Sequence, residues 1–303
     1  MLTYDHITKN KRESWLLIFI FLIIITALGW VFSLYYDQPV ILYFAVGFSL
    51  LTSFISYYFS DSITLALSEA KEIDRQTAPE LYRLVENLCI AAGLPTPKIY
   101  IIDDTAPNAF ATGRDPEHAV VCFTTGILQK LEKVELEGVV AHELSHIGNY
   151  DIRVMTLVVV LVGTVTLLAD WMLRATFWGG RRRSNNGGGN LGTLLAIAGL
   201  ILAILSPVIA TLIKLAVSRK REFLADSSGA LLTRYPEGLA KALEKISSDT
   251  EPLEAANKAT AHMYIVSPLK ANEKTGKQSW LTKMFNTHPP VEERIKKLRE
   301  MNL

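Results

Sequence analysis

Charge is the first thing this sequence is short of. Only 20% of its 303 residues are Asp, Glu, Lys or Arg, against roughly 25% in a typical soluble domain, while 50% are hydrophobic. That disfavours an ordinary water-soluble chain. An excess of either sign is missing too, because 31 Lys and Arg stand against 30 Asp and Glu. No basic surplus exists to coat nucleic acid, and the cations cluster beside apolar runs instead of along one face. Nucleic acid is not an expected partner. Cysteine is scarce as well: Cys89 and Cys122 cannot build a disulfide framework, and neither lies at metal-ligand spacing from another cysteine. Both are expected to be small buried residues, compatible with a reducing compartment.

What is abundant is apolar sequence. Ser14 to Tyr36 and Gln38 to Ser60 each run 23 residues without a charge, longer than the ~20 that cross a bilayer core as helix, and only Asp37 joins them. They predict a transmembrane hairpin. Lys9, Lys11 and Arg12 ahead of it resemble the basic start of a signal peptide, but the apolar run is too long and no small-residue cleavage site follows. With three cations before the hairpin and none in its turn, the positive-inside rule places the N-terminus and the chain after residue 60 in the cytoplasm.

Two further apolar stretches follow, Val154 to Ala169 (16 residues) and Leu191 to Ile213 (23 residues), around a glycine- and arginine-rich loop, Gly179 to Asn190. If both cross, Arg181, Arg182 and Arg183 must lie outside, opposed by Lys214, Arg219, Lys220 and Arg221 from inside. The alternative is a hairpin that enters the membrane without crossing it. The expected organisation is an N-terminal hairpin (1–60), a first catalytic part (61–153), a second membrane hairpin (154–213) and a second catalytic part (214–303).

The soluble parts read as mainly helical with one small sheet. Thr77 and Pro79 start a helix whose Leu81, Leu84, Val85 and Leu88 share a face, and Gly93 with Pro95 stops it. Lys98 to Ile102 and His118 to Phe123 are β-rich runs on either side of Asn108 to Gly113. Thr124 or Thr125 can cap a helix beginning near Gly126 that continues, after a possible break, through Leu144. Helical patterns return from Lys214 to about Leu232, from Pro236 to Ser247, and after Pro289.

The chemistry concentrates in His142-Glu143-Leu144-Ser145-His146. On a helix, residues four apart share a face, so both imidazoles can reach one zinc ion while Glu143 leans over water held there. Chance produces such a run in about 0.7% of chains of this composition. Val139, Val140 and Ile147 surround it with apolar positions, where two histidines and a glutamate need a partner. A catalytic zinc takes a third protein ligand and leaves one position open. Glu222 is the best candidate, with Asp226 one turn further on the same face and able to orient a histidine; His288 is the rival ligand.

The chain resembles the HtpX-type membrane zinc metalloproteases of bacteria, which are similar in their catalytic domain to the CaaX prenyl proteases of eukaryotes. The resemblance is carried by the two N-terminal spans, Asn108-Ala109-Phe110, the zinc motif, a second apolar hairpin, Glu222-Phe223-Leu224-Ala225-Asp226 and His288-Pro289-Pro290. It implies a zincin-like, mainly helical catalytic domain with four membrane helices, and zinc held by His142, His146 and Glu222. Glu143 is then the general base, Asp226 a support for a ligand, and His288 a group assisting the transition state. It further implies a multi-pass protein of the bacterial inner membrane, with its site facing the cytoplasm. Its substrates would be damaged or misassembled membrane proteins. The residues 108–112 are expected to offer a sheet edge on which an unfolded substrate lies as an added strand. A CaaX-type prenyl protease is disfavoured because that group has more spans than the four available here, and a non-catalytic zinc adaptor because it has no use for Glu143.

Overall fold

The computed structural model describes residues 3–179, 218–255, 260–266 and 289–301. Helices α1 (Thr3–Tyr36) and α2 (Val40–Leu67) form the expected hairpin, with Asp37 at positive φ in its turn. Their surfaces are inverted relative to a soluble helix. Trp15, Phe19, Ile23, Tyr43, Phe44, Leu50 and Phe54 are exposed, whereas α2 buries Ser49, Ser53, Ser56, Ser60 and Thr64. Large apolar groups turned outward and small residues at the helix contact are the pattern that lipid solvation produces. The two helices cross closely at Gly29, where an added Cβ would stand 2.2 Å from the Ala45 methyl.

Among the described residues, three helices are long and apolar enough to cross a membrane: His6–Leu34, Val40–Leu67 and Asp151–Leu168. The fourth expected run, residues 191–213, lies outside the described residues. The third run is longer than its uncharged stretch suggests, because α6 extends over Asp151–Gly179. Val154, Val158, Leu161 and Val165 of α6 pack against Leu17, Phe21 and Ile25 of α1, so much of this helix is covered by protein. Helices α2 and α6 run unbroken through residues 60 and 153.

The sheet has the order β1-β2-β4-β3, built from β1 (Lys71–Glu72), β2 (Lys98–Ile102), β3 (Ala109–Gly113) and β4 (Ala119–Thr124). Strands β2 and β4 are parallel, and the other pairs are antiparallel. Helix α3 (Pro79–Ala92), stopped by left-handed Gly93, packs Leu81, Leu84 and Val85 into the core beneath the sheet. His118, expected at a strand start, instead ends a short 3-10 turn over Pro116–His118. Asp115 Oδ1 accepts from its backbone N–H at 2.9 Å and meets its Nδ1 at 2.6 Å.

Thr124 Oγ1 caps α4 (Thr125–Lys130) by accepting from Ile127 N. The break anticipated after it is real. Leu131 and Glu132 are extended, and Glu132 with Glu135 forms a capping box that starts α5 (Lys133–Gly148). Helix α5 is buried on nearly all sides, against the sheet, α7 (Arg219–Thr233) and α8 (Pro236–Ser248). The last described helix, α9 (Val291–Arg299), closes over α7 and α8.

Candidate active site

Helix α5 places His142 and His146 one turn apart, with their Nε2 atoms 3.1 Å from each other and their rings perpendicular. Glu222 enters from the first turn of α7, with Oε2 3.9 Å from His142 Nε2 and Oε1 3.7 Å from His146 Nε2. One ligand atom from each of the three lies within 4.8 Å of the others, and all three residues are buried.

The outward ring nitrogens are occupied by carboxylates. His142 Nδ1 faces Asp226 Oδ1 at 3.0 Å, and His146 Nδ1 faces Asp151 Oδ2 at 2.9 Å. With a carboxylate beside Nδ1 of each ring, the two Nε2 atoms are turned toward one point. Two imidazole nitrogens and a carboxylate oxygen are the donor set of a zinc site, so the residues fit that ion.

A second ring of charge stabilises this arrangement. Arg294, fully buried on α9, donates through Nε and Nη2 to the two oxygens of Asp226 at 2.8 and 2.7 Å. Its Nη1 donates to Ile265 O at 2.8 Å and lies 3.6 Å from Glu222 Oε2. Burial would raise the Asp226 pKa, but Arg294 and His142 outweigh it and hold the carboxyl at about 2. His142 is shifted down by burial against the pull of Asp226. Burial also pulls His146 down, yet Asp151 and Glu222 overcome it and push that ring up to about 9. Three carboxylates, Asp151, Asp226 and Glu222, thus stand around the two rings.

Glu143 is the odd carboxyl of the set. Burial pushes it up to about 7, with Glu222 adding to the rise and His146, Arg294 and the Ala111 backbone N–H opposing it. A carboxyl poised there can both accept and return a proton near neutral pH.

Strand β3 is one of the two edge strands of the sheet, opposite β1. Thr124 N donates to Asn108 O, and the alternation of an antiparallel ladder turns the backbone groups of Ala109, Ala111 and Gly113 away from β4. Part of that edge is already taken by the chain itself. Ala109 O accepts from Ile265 N at 3.0 Å, Asn108 Nδ2 donates to Val266 O at 2.9 Å, and Phe110 packs edge-on against Tyr264. Of the residues singled out in the sequence, His142, Glu143, His146, Glu222 and Asp226 come together, while Asn108, Ala109 and Phe110 lie buried with the rest of β3, whose far end is engaged as well, Gly113 N donating to Thr156 Oγ1 at 3.4 Å. His288 lies outside the described residues.

Three supporting residues were not found from sequence: Asp151, Arg221 and Arg294. Arg294 carried a readable signal, since it shares a helical face with Val291, Ile295 and Leu298 in an otherwise charged helix, and a lone cation on an apolar face needs a buried partner. Asp151 carried a weaker one, a carboxylate at the mouth of an apolar run.

A buried His-Glu-x-x-His helix completed by a carboxylate from a second helix, beside membrane-length helices, defines a membrane metalloprotease. The comparisons with known proteins narrow the class: the pattern of Peptidase family M48 matches residues 75–302, and the chain belongs to that family. It is 46% identical over 299 residues to the Protease HtpX homolog of Dictyoglomus turgidum, covering 98% of this chain and 94% of that one. It is also 43% identical over 303 residues to the Protease HtpX homolog of Caldanaerobacter subterraneus subsp. tengcongensis, covering 99% and 98%. Among solved structures, the crystal structure of S. mikatae Ste24p is similar, with a TM-score of 0.50 at 17% identity. That alignment covers 93% of this chain and 62% of the Ste24p chain, and it shows a shared fold.

Proposed function

We propose that this protein is an integral-membrane zinc endopeptidase that cuts unfolded or misassembled membrane proteins at the cytoplasmic face of a bacterial inner membrane. The observation that carries the reading is the meeting of His142, His146 and Glu222 within 4.8 Å beside the buried carboxyl of Glu143. Glu143, beside the first histidine, is a group that a catalytic zinc uses and a purely structural zinc has no need of.

When bound, zinc acidifies water and polarises a peptide carbonyl. Glu143, the buried carboxyl next to the first histidine, takes the proton of the attacking water and returns it to the departing amine. Asp226 and Asp151 keep the two rings in the tautomer that aims Nε2 inward. The Ala111 edge of β3 lies beside Glu143, and an extended substrate added there is held through its backbone with little regard for sequence. That tolerance suits a protease of misfolded chains. The short α5–α6 connection, Asn149 and Tyr150, keeps the site next to the membrane helix, within reach of segments leaving the bilayer.

The reading is tested with the purified chain in detergent and an unfolded protein as substrate. Cleavage that a chelator abolishes and added zinc restores supports it; cleavage indifferent to chelator, or none from a zinc-loaded chain, overturns it. Substrates N-methylated at successive backbone positions test the edge, with one position expected to raise KM sharply.

A further inference from the structure

The start of α1 lies ahead of the apolar run, and anchoring alone gives no reason to bury an amide there. Yet Asn10 is only 4% exposed. Its Nδ2 donates to Asn149 O at 2.8 Å and to Asp151 Oδ1 at 2.6 Å, and its Oδ1 accepts from Arg221 Nη2 at 2.8 Å. Both N–H groups and the oxygen of this side chain are thereby used. Arg221 also reaches Asp151 Oδ1 through Nε at 2.6 Å and Glu13 Oε2 through Nη2 at 2.9 Å. The other oxygen of Asp151, Oδ2, is the one that faces His146 Nδ1.

Three separate pieces of chain meet in this cluster. Asn10 and Glu13 come from the first span, Asn149 and Asp151 from the α5–α6 joint, and Arg221 from the first turn of α7, one residue before Glu222. A carboxylate whose Oδ1 is gripped by an amide and a guanidinium has its plane fixed, so Oδ2 can aim at one place only. That place is His146. Arg221, drawn to the same oxygen, sets the height of the turn that carries Glu222. Two ligands of the proposed zinc, from different helices, thus take their position from one buried cluster whose keystone is on α1.

We propose that the first membrane helix is a working part of the metal centre, with Asn10 and Asp151 as positioning residues for His146 and, through Arg221, for Glu222. The inference rests on the metalloprotease reading in placing zinc at the trio. Its consequence is that displacing the start of α1 loosens the metal without touching a ligand.

The test is the zinc dissociation constant of the purified full chain in detergent, by competition with a coloured chelator, together with the visible spectrum of the cobalt-substituted protein. Asn10→Leu should weaken zinc by ~10 to 100-fold, as loss of an outer support does, and alter the cobalt bands. Ser14→Ala serves as control. Its buried hydroxyl donates to Asn10 O within α1, a backbone bond and not one of the cluster's side-chain bonds, so it should keep the parent constant. Asn10→Asp sets a second carboxylate against Asp151 and should also weaken zinc. It also turns an acceptor toward Asn149 O, where the parent donates, so neither of the amide's donor bonds is kept. An Asn10→Leu protein with the parent's constant and spectrum overturns the proposal, as does an equal loss in Ser14→Ala. If Asn10→Leu does not fold, Asn10→Asp decides, and a parent-like constant and cobalt spectrum in that variant overturn the proposal. A parent chain that binds no zinc at all sinks the metalloprotease reading instead.

Discussion

Arg294 holds Asp226 with two parallel hydrogen bonds, of 2.8 and 2.7 Å, and does so with no exposure to solvent. Asp226 in turn faces His142 Nδ1, so a helix near the C-terminus fixes the first histidine of the motif. A guanidinium with five donors suits this place because it can fork across both carboxylate oxygens while still reaching Ile265 O.

Replacing Arg294 by Ala leaves a buried carboxylate without its partner, which costs ~3–5 kcal/mol and should appear as a large drop in thermal midpoint in detergent. Arg294→Lys keeps the charge but not the fork, and should fall between parent and Ala in both stability and zinc affinity. A Lys variant as loose as Ala would mean that the forked geometry, and not the charge, is what counts.

Gly229 of α7 stands where that helix comes close to the backbone of α5. An added Cβ would lie 2.9 Å from His142 N and 3.1 Å from Ala141 C, atoms of a helix that cannot step aside. Gly229→Ala should therefore push the two helices apart, cost ~1–3 kcal/mol of stability, and weaken zinc by moving Glu222 from the histidines. Unchanged zinc affinity in this variant would show that the ligand spacing tolerates the shift.

Much of the site was legible because its residues are close in sequence. His142 and His146 are one helical turn apart, and so are Glu222 and Asp226; a period of 3.6 residues puts each pair on one face. The N-terminal helices were legible from uncharged length alone. What stayed hidden is long-range. Asn10 and Asp151 are 141 residues apart, and Asp226 and Arg294 are 68 apart, so no local pattern links them. The edge strand was visible as a β-rich neighbourhood, but its occupation by Ile265 and Val266 depends on chain that returns from far away. The capping of the short turn by Asp115, which draws His118 out of the strand, was a local signal passed over.

Topology can be read by cysteine labelling, because Cys89 and Cys122 are both buried and leave a quiet background. Asp37→Cys, in the α1–α2 turn, should react with a membrane-impermeant maleimide on intact cells. Glu251→Cys, in an exposed segment of the second catalytic part, should react only after permeabilisation. Labelling of residue 251 from outside would overturn the cytoplasmic placement of the site.

The account stands or falls on which carboxylate binds and which carries protons. The decisive measurement is zinc content, alongside cleavage of an unfolded protein, in purified parent, Glu143→Gln and Glu222→Ala chains after dialysis against a mild chelator. Glu143→Gln should hold zinc near the parent level while turnover falls by at least ~10²–10⁴-fold, the share supplied by a positioned general base. Glu222→Ala should lose both metal and activity, because two histidines alone leave the site without its anionic ligand. A Glu222→Ala protein that keeps zinc as firmly as the parent would contradict the account, and His288 would then be the first residue to examine as the third ligand.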